Sequence, residues 1–182
     1  MKKHIAQFFK FLQDKEGKPA PLKLKLLDPK TFGTPTKEEL NVKGSLDLSK
    51  TNIKELPQGL EVGGSLGLED CTLLKELPQG LQVGGSLGLG GCTSLKELPQ
   101  GLQVGINLFL YDCTSLKQLP KGLKVGHLNL YSCTSLKELP QGLQVGKDLN
   151  LRRTPIAQKY SEEQIRSMIE DGGGFVKGNI YT

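Results

Sequence analysis

Four cysteines recur at one register of the chain, at Cys71, Cys92, Cys113 and Cys133. A thiolate can act as a nucleophile or a soft metal ligand, and two thiols can close a disulfide. The two histidines of the chain, His4 and His127, stand at no metal-ligand spacing from them. The slot the cysteines fill is occupied by Thr51 and Thr154 in the outer copies of the same pattern. A slot that alternates Cys and Thr asks for a small, weakly polar side chain. Free buried thiols that behave as small hydrophobes are therefore expected. Bridged pairs and a metal site are the alternatives. If the copies stack about 4.8 Å apart, neighbouring Cα atoms fall within disulfide range, but parallel Cβ vectors do not suit a bridge. Four reduced thiols point to a reducing compartment, and a cytoplasmic location is the expectation.

No other constellation carries catalysis. Gly84-Gly85-x-x-Gly88 is not followed by a helical pattern, so it lacks the helix N-terminus that anion binding needs. Lys54, Lys75, Lys96, Lys117 and Lys137 stand beside Glu55, Glu76, Glu97 and Glu138, as on a solvated, self-neutralising edge. No enzyme, catalytic residue, metal or cofactor is expected. What remains is recognition. Between and beyond paired leucines, the chain places Phe109, Tyr111, Tyr131 and Arg152, with His127, Asn129 and Asn150 alongside. Aromatic and Arg side chains exposed on a rigid surface are typical anchors of a protein interface. These seven are the candidate partner-binding residues. The competing reading is drift within the repeat. Gly67, Gly88 and Gly90 occupy the same slots in earlier copies and are expected to leave a bare strip.

The elements that hold these residues come from internal repetition at about 20 residues. Leu46, Leu66, Leu87, Leu108, Leu128 and Leu149 open the copies, and Leu48, Leu68, Leu89, Leu110, Leu130 and Leu151 follow two residues later. A spacing of two puts each pair on one face of a short strand. The Cys or Thr slot, a Leu or Ile, a Leu-Pro pair and a Gly-Leu-x-Val segment complete each unit. One coil points about seven apolar side chains inward and cannot bury them alone; stacked coils can.

The wording L-x-L-x-x-C-T-S-L-x-x-L-P, Leu87 to Pro99 in one copy, resembles leucine-rich repeats of the short bacterial kind with a Leu-Pro pair per unit, whose members include secreted effectors. Its Cys-Thr-Ser-Leu also resembles repeats of plant immune receptors. The resemblance covers residues 40 to about 156, and the tail from Tyr160 resembles endings of uncharacterised bacterial and phage repeat proteins. It implies a repeat solenoid, mainly β with parallel stacked strands, that binds a protein partner through its strand-lined face. The Gly-Leu-x-Val-Gly-Gly segment departs from the usual convex helix, so extended or turning backbone is expected there.

Three regions follow. Residues 1–39 read as an N-terminal cap, with an amphipathic helix over 2–13 (Ile5, Phe8, Phe9 and Leu12 on one stripe) and a strand near 22–27 from the alternation of Leu22, Leu24 and Leu26. Residues 40–156 are the array. Residues 157–182 read as a C-terminal cap, with a helix over 161–171, buried on Ile165, Met168 and Ile169, and a strand over 175–181. The net charge of +5 lies wholly in residues 1–43, with ten Lys against five acids, while the rest balances. A neutral array lacks the basic stripe of a nucleic-acid binder. No stretch is long and apolar enough to span a membrane, and Gln7 and Lys10 interrupt the only candidate leader. The expectation is a monomeric, non-enzymatic protein-binding scaffold. The alternatives are a membrane-surface-acting or secreted effector using the basic N-terminal helix, and a structural or engineered repeat scaffold with no specific ligand.

Overall fold

The structure, a computed structural model, describes residues 20–182. The chain divides into two units, Met1–Leu40 and Asn41–Thr182. The helix expected over 2–13 lies outside the described residues. Among those described, no helix is long and apolar enough to cross a membrane.

Among its described residues the first unit holds three short helices: α1 (Leu22–Leu27), α2 (Pro29–Phe32) and α3 (Lys37–Leu40). The strand expected near 22–27 is therefore a helix. Leu and Lys are both good helix formers, and the alternation of three leucines over so short a run does not outweigh that. The buried stripe is not the leucine series: Lys25 is the buried residue of α1. Its ammonium donates to both carboxylate oxygens of Glu39, at 2.6 and 2.8 Å. That pairing removes the cost of an isolated buried charge, and sequence alternation cannot reveal it. Lys25, with the Thr36 amide, holds the Glu39 carboxyl below its ordinary range. Thr36 and Glu39 form the reciprocal cap at the start of α3, each side chain accepting from the other's backbone N–H.

The second unit is a parallel-strand solenoid. Its strands are two residues long and alternate between two sheet systems. Seven of them, β2 (Leu46–Asp47), β4 (Leu66–Gly67), β6 (Leu87–Gly88), β8 (Leu108–Phe109), β10 (Leu128–Asn129), β12 (Leu149–Asn150) and β14 (Ile180–Tyr181), form one continuous parallel sheet in sequential order. The Gly-Leu-x-Val segments supply the others, extended as expected. β1 (Asn41–Val42), β3 (Glu61–Val62), β5 (Gln82–Val83) and β7 (Gln103–Val104) make one sheet; β9 (Lys124–Val125), β11 (Gln144–Val145) and β13 (Phe175–Val176) make another. The first coil thus begins with β1 in register with β3. Both leucines of each interior strand pair are fully buried, for example Leu87 and Leu89 at 0 % exposure. No coil could bury them without its neighbours.

The two outer sheets fail to join between β7 and β9. Coil five reaches Leu128 one residue sooner than coil four reaches Leu108. Gly126 donates to Ile106 O, where the equivalent Gly105 donates to Val83 O of its own neighbour strand. The backbone is drawn out of register and the sheet splits.

The C-terminal end is closed by α4 (Pro155–Lys159) and α5 (Glu162–Asp171). Thr154 caps α4, accepting from Ala157 N–H, with Pro155 at the first helical position. Helix α4 lies across the expected array boundary at 156. Ser161 and Gln164 form the capping box of α5. Ile165 and Ile169 are buried, but Met168, expected in that stripe, is 43 % exposed. The closing strand expected over 175–181 is two strands, β13 and β14, which extend different sheets. Gly178, between them, lies close against Lys147 and Asp148. Arg166 of α5 donates to Val176 O and Gly178 O at 2.6 and 3.0 Å, which pins this return to the helix.

Candidate functional site: the strand-lined face

Along the seven-stranded sheet, the residues between the paired inward side chains align as Asp47, Gly67, Gly88, Phe109, Asn129, Asn150 and Tyr181. Beyond the second leucine comes a further column, Ser49, Glu69, Gly90, Tyr111, Tyr131 and Arg152. The next residue turns the chain inward to the Cys slot with positive φ: Lys50, Asp70, Gly91, Asp112, Ser132 and Arg153 lie between +57° and +73°. Only one of these six is Gly. The turn of the other five is imposed by the stack, since a non-Gly residue in this region carries a cost of order 1 kcal/mol. Their identities gave no warning of it.

The residues singled out from sequence do come together on coils four to six, but not as free side chains. Phe109, Tyr111 and Tyr131 are half-buried. The Tyr111 ring lies directly over Gly90, where a Cβ atom would collide with it. Likewise the Glu69 carboxylate lies over Gly88, and Ser49 donates to it at 2.7 Å. The strip expected to be bare is thus filled by neighbouring coils, and Gly88 and Gly90 are themselves buried. Glycine is needed there to seat these side chains. Burial first, then the negative charges of Glu69, Asp70 and Asp112, raises the Tyr111 phenol above its ordinary pKa. The phenol therefore stays neutral and available as a donor.

Asn129 and Asn150 have local duties. Each accepts, through Oδ1, the backbone N–H two residues on, at 3.0 and 3.1 Å, as Asp47 does for Ser49 at 2.9 Å. These turns fix the direction of Tyr131 and Arg152, and the amide nitrogens remain as donors. His127 belongs to a different system. In the position before the first leucine, five side chains accept the backbone N–H of the next coil: Ser45 from Ser65, Ser65 from Ser86, Asn107 from His127, His127 Nδ1 from Asp148 and Asp148 from Asn179, at 2.9 to 3.4 Å. His127 Nδ1 also lies 3.5 Å from Asp148 Oδ2. Every residue in this slot carries a side-chain acceptor, a signal present in the sequence. It marks stitching between coils.

At the far end of the face two guanidinium groups stack on tyrosines. Arg152 lies 4.8 Å from the Tyr181 ring centre and Arg153 lies 5.2 Å from that of Tyr131. Arg153 and Tyr181 complete the cluster and were not among the residues picked from sequence. Tyr181 joins only because β14 extends the sheet beyond the last leucine pair.

Beneath the face, all four cysteines are free and buried. Each donates its thiol to the leucine carbonyl of the preceding coil: Cys71 to Leu48, Cys92 to Leu68, Cys113 to Leu89 and Cys133 to Leu110, at 3.0 to 3.2 Å. Burial pushes the Cys113 and Cys133 thiols up to about 12 and Cys92 higher still. Such thiols are poor nucleophiles. Among the described residues, no group of three or more His, Cys, Asp or Glu side chains is placed to hold a metal ion.

A cavity of ≈ 500 Å³ lies elsewhere, along the split between β7 and β9, with Leu102, Val104, Lys121 and Lys124 in its wall. It is an open groove over a break in the sheet and gathers no converging titratable pair. Family models, curated protein sequences and solved structures were compared with the chain, and none matches. The fold and the face therefore define the class: a mainly-β, parallel-strand repeat solenoid with a helix at its C-terminal end.

Proposed function

We propose that the chain holds a leucine-rich-repeat array, over residues 40–156, and acts as a non-enzymatic, cytoplasmic scaffold that binds a protein partner on the strand-lined face. One observation carries the reading. The inward positions hardly vary from coil to coil, whereas the outward ones depart from the repeat together, at Phe109, Tyr111, Tyr131, Arg152 and Arg153 on coils four to six. The rings are held before any partner arrives. Tyr111 is seated on Gly90, and Tyr131 is stacked beneath Arg153. Side chains already fixed lose less freedom on binding, so more of their contact energy appears as affinity.

The test is affinity capture with the whole chain, repeated with the Tyr111→Ala, Tyr131→Ala double variant. Binding of the captured partner should weaken by about 2 kcal/mol or more, as for aromatic anchors at an interface centre. Glu69→Ala keeps both rings and should bind the partner nearly as well as the original chain. Equal binding by the double variant would place the interface elsewhere.

A further inference from the structure

The strand-lined face changes chemistry along its length. In its three outward columns, coils one to four carry Asp47, Glu69, Asp70 and Asp112 against a single Lys50. Coils five and six carry Arg152 and Arg153 there, and no carboxylate. The third arginine of the chain, Arg166, is consumed by structure, bonded to Val176 O, Gly178 O and Glu162. Arg152 and Arg153 are not. Both are exposed, and the ion pairs among the described residues involve neither. Each lies over the face of a tyrosine ring. A guanidinium held over a ring in this way keeps its N–H groups free to donate, and its planar fork can take a carboxylate bidentately. The amide nitrogens of Asn129 and Asn150 add neutral donors beside them.

We propose that the partner presents an extended, carboxylate-rich segment, seated with its acidic end over coils five and six. This deepens the protein-binding reading and rests on it. The opposed charges at the two ends give the segment a direction, because an acidic run placed over coils one to four would meet like charge. A second copy of the chain, turned end for end, would also match charge with charge. Area decides against it. Seven strands about 4.8 Å apart span roughly 29 Å, and the three columns are about 10 Å wide. A strip of roughly 300 Å² falls well short of the ≈ 800 Å² per partner that stable interfaces bury. An extended segment rising about 3.3 Å per residue covers that length with about nine residues.

The probes are three fluorescein-labelled pools of nine-residue peptides, sharing five mixed positions. Four consecutive positions hold Asp or Glu in the first pool, Ser or Gln in the second, and Lys in the third. Fluorescence anisotropy against the full chain should show the acidic pool binding about tenfold or more tighter than the other two. The Arg152→Gln, Arg153→Gln variant should lose about tenfold for the acidic pool. Lys121→Gln with Lys124→Gln, on the split outer sheets, should lose nothing. Thermal melting checks that each variant folds, and Arg152→Lys, which keeps charge but not the planar fork, should fall between. Acidic binding no better than neutral, or unchanged in the arginine variant, overturns the proposal. Neutral-pool binding that Tyr131→Ala abolishes overturns the acidic assignment alone and leaves the face as the binding site. Binding indifferent to Tyr131 and to both arginines overturns both readings. A dimer in sedimentation that the arginine variant dissociates overturns the peptide in favour of a second copy.

Discussion

Replacing Cys113 by Ala tests whether the thiol ladder holds adjacent coils together. Cys113 is fully buried at 0 % exposure, and its thiol donates to Leu89 O at 3.1 Å. Leu89 O also accepts Cys92 N–H at 3.1 Å, so the variant leaves that carbonyl with one bond and not orphaned. The lost thiol forfeits burial comparable to one methylene, about 0.8 kcal/mol. A void of roughly 25 Å³ adds about 0.6 kcal/mol. A thiol is a weak donor, so its bond contributes about 0.5 kcal/mol, the lower end of the usual range. The expected loss is about 2 kcal/mol. For a chain of this size the urea slope is about 2–3 kcal/mol/M, so the midpoint should fall by roughly 0.7–1 M at unchanged slope. A midpoint for Cys113→Ala equal to that of the original chain would refute the ladder as a source of stability.

The thiols should resist alkylation at pH 8 in the folded chain, and all four should react once it is denatured. Since burial raises the pKa of Cys113 and Cys133, the fold favours their protonated form; their contribution is fully present below the ordinary value of 9.0 and is lost as pH rises toward 12, so stability measured by urea titration should decline over that window. Gly90→Ala puts a methyl group where the Tyr111 ring lies; the ring must lift away, stability should drop by about 1–2 kcal/mol, and Tyr111 should ionise at lower pH in an absorbance titration. Thr154→Val removes both the cap of α4 and the bond to Leu151 O, and should cost about 2 kcal/mol in the denaturation midpoint. Thr154→Ser should recover most of that loss.

The sequence alone determined the solenoid, its inward leucines and its extended Gly-Leu-x-Val segments. All three follow from strict local spacing, because a period-two pair repeated every 20 or so residues has one way to bury itself, which is by stacking. The capping boxes at Thr36–Glu39 and Ser161–Gln164 are equally local, each closed within four residues. α1 was misread because its inward residue is Lys25, and only Glu39, fourteen positions away, makes that burial tolerable. The face was half legible. Departures from the repeat marked Phe109, Tyr111, Tyr131 and Arg152, since variation against a constant core needs no coordinates to be seen. Their poses depend on residues a full coil distant: Tyr111 on Gly90, Tyr131 under Arg153, Arg152 on Tyr181. The slot shared by Cys and Thr shows the division most clearly. Sequence established that it takes a small side chain. The tertiary structure decided which one. An interior Cys reaches back to the preceding coil's carbonyl, whereas Thr51 and Thr154 bond the leucine carbonyl of their own coil, and Thr154 must also accept the Ala157 N–H that starts α4. A hydroxyl oxygen accepts that bond well and a thiol sulfur only weakly, so the end of the array carries Thr because a helix begins there.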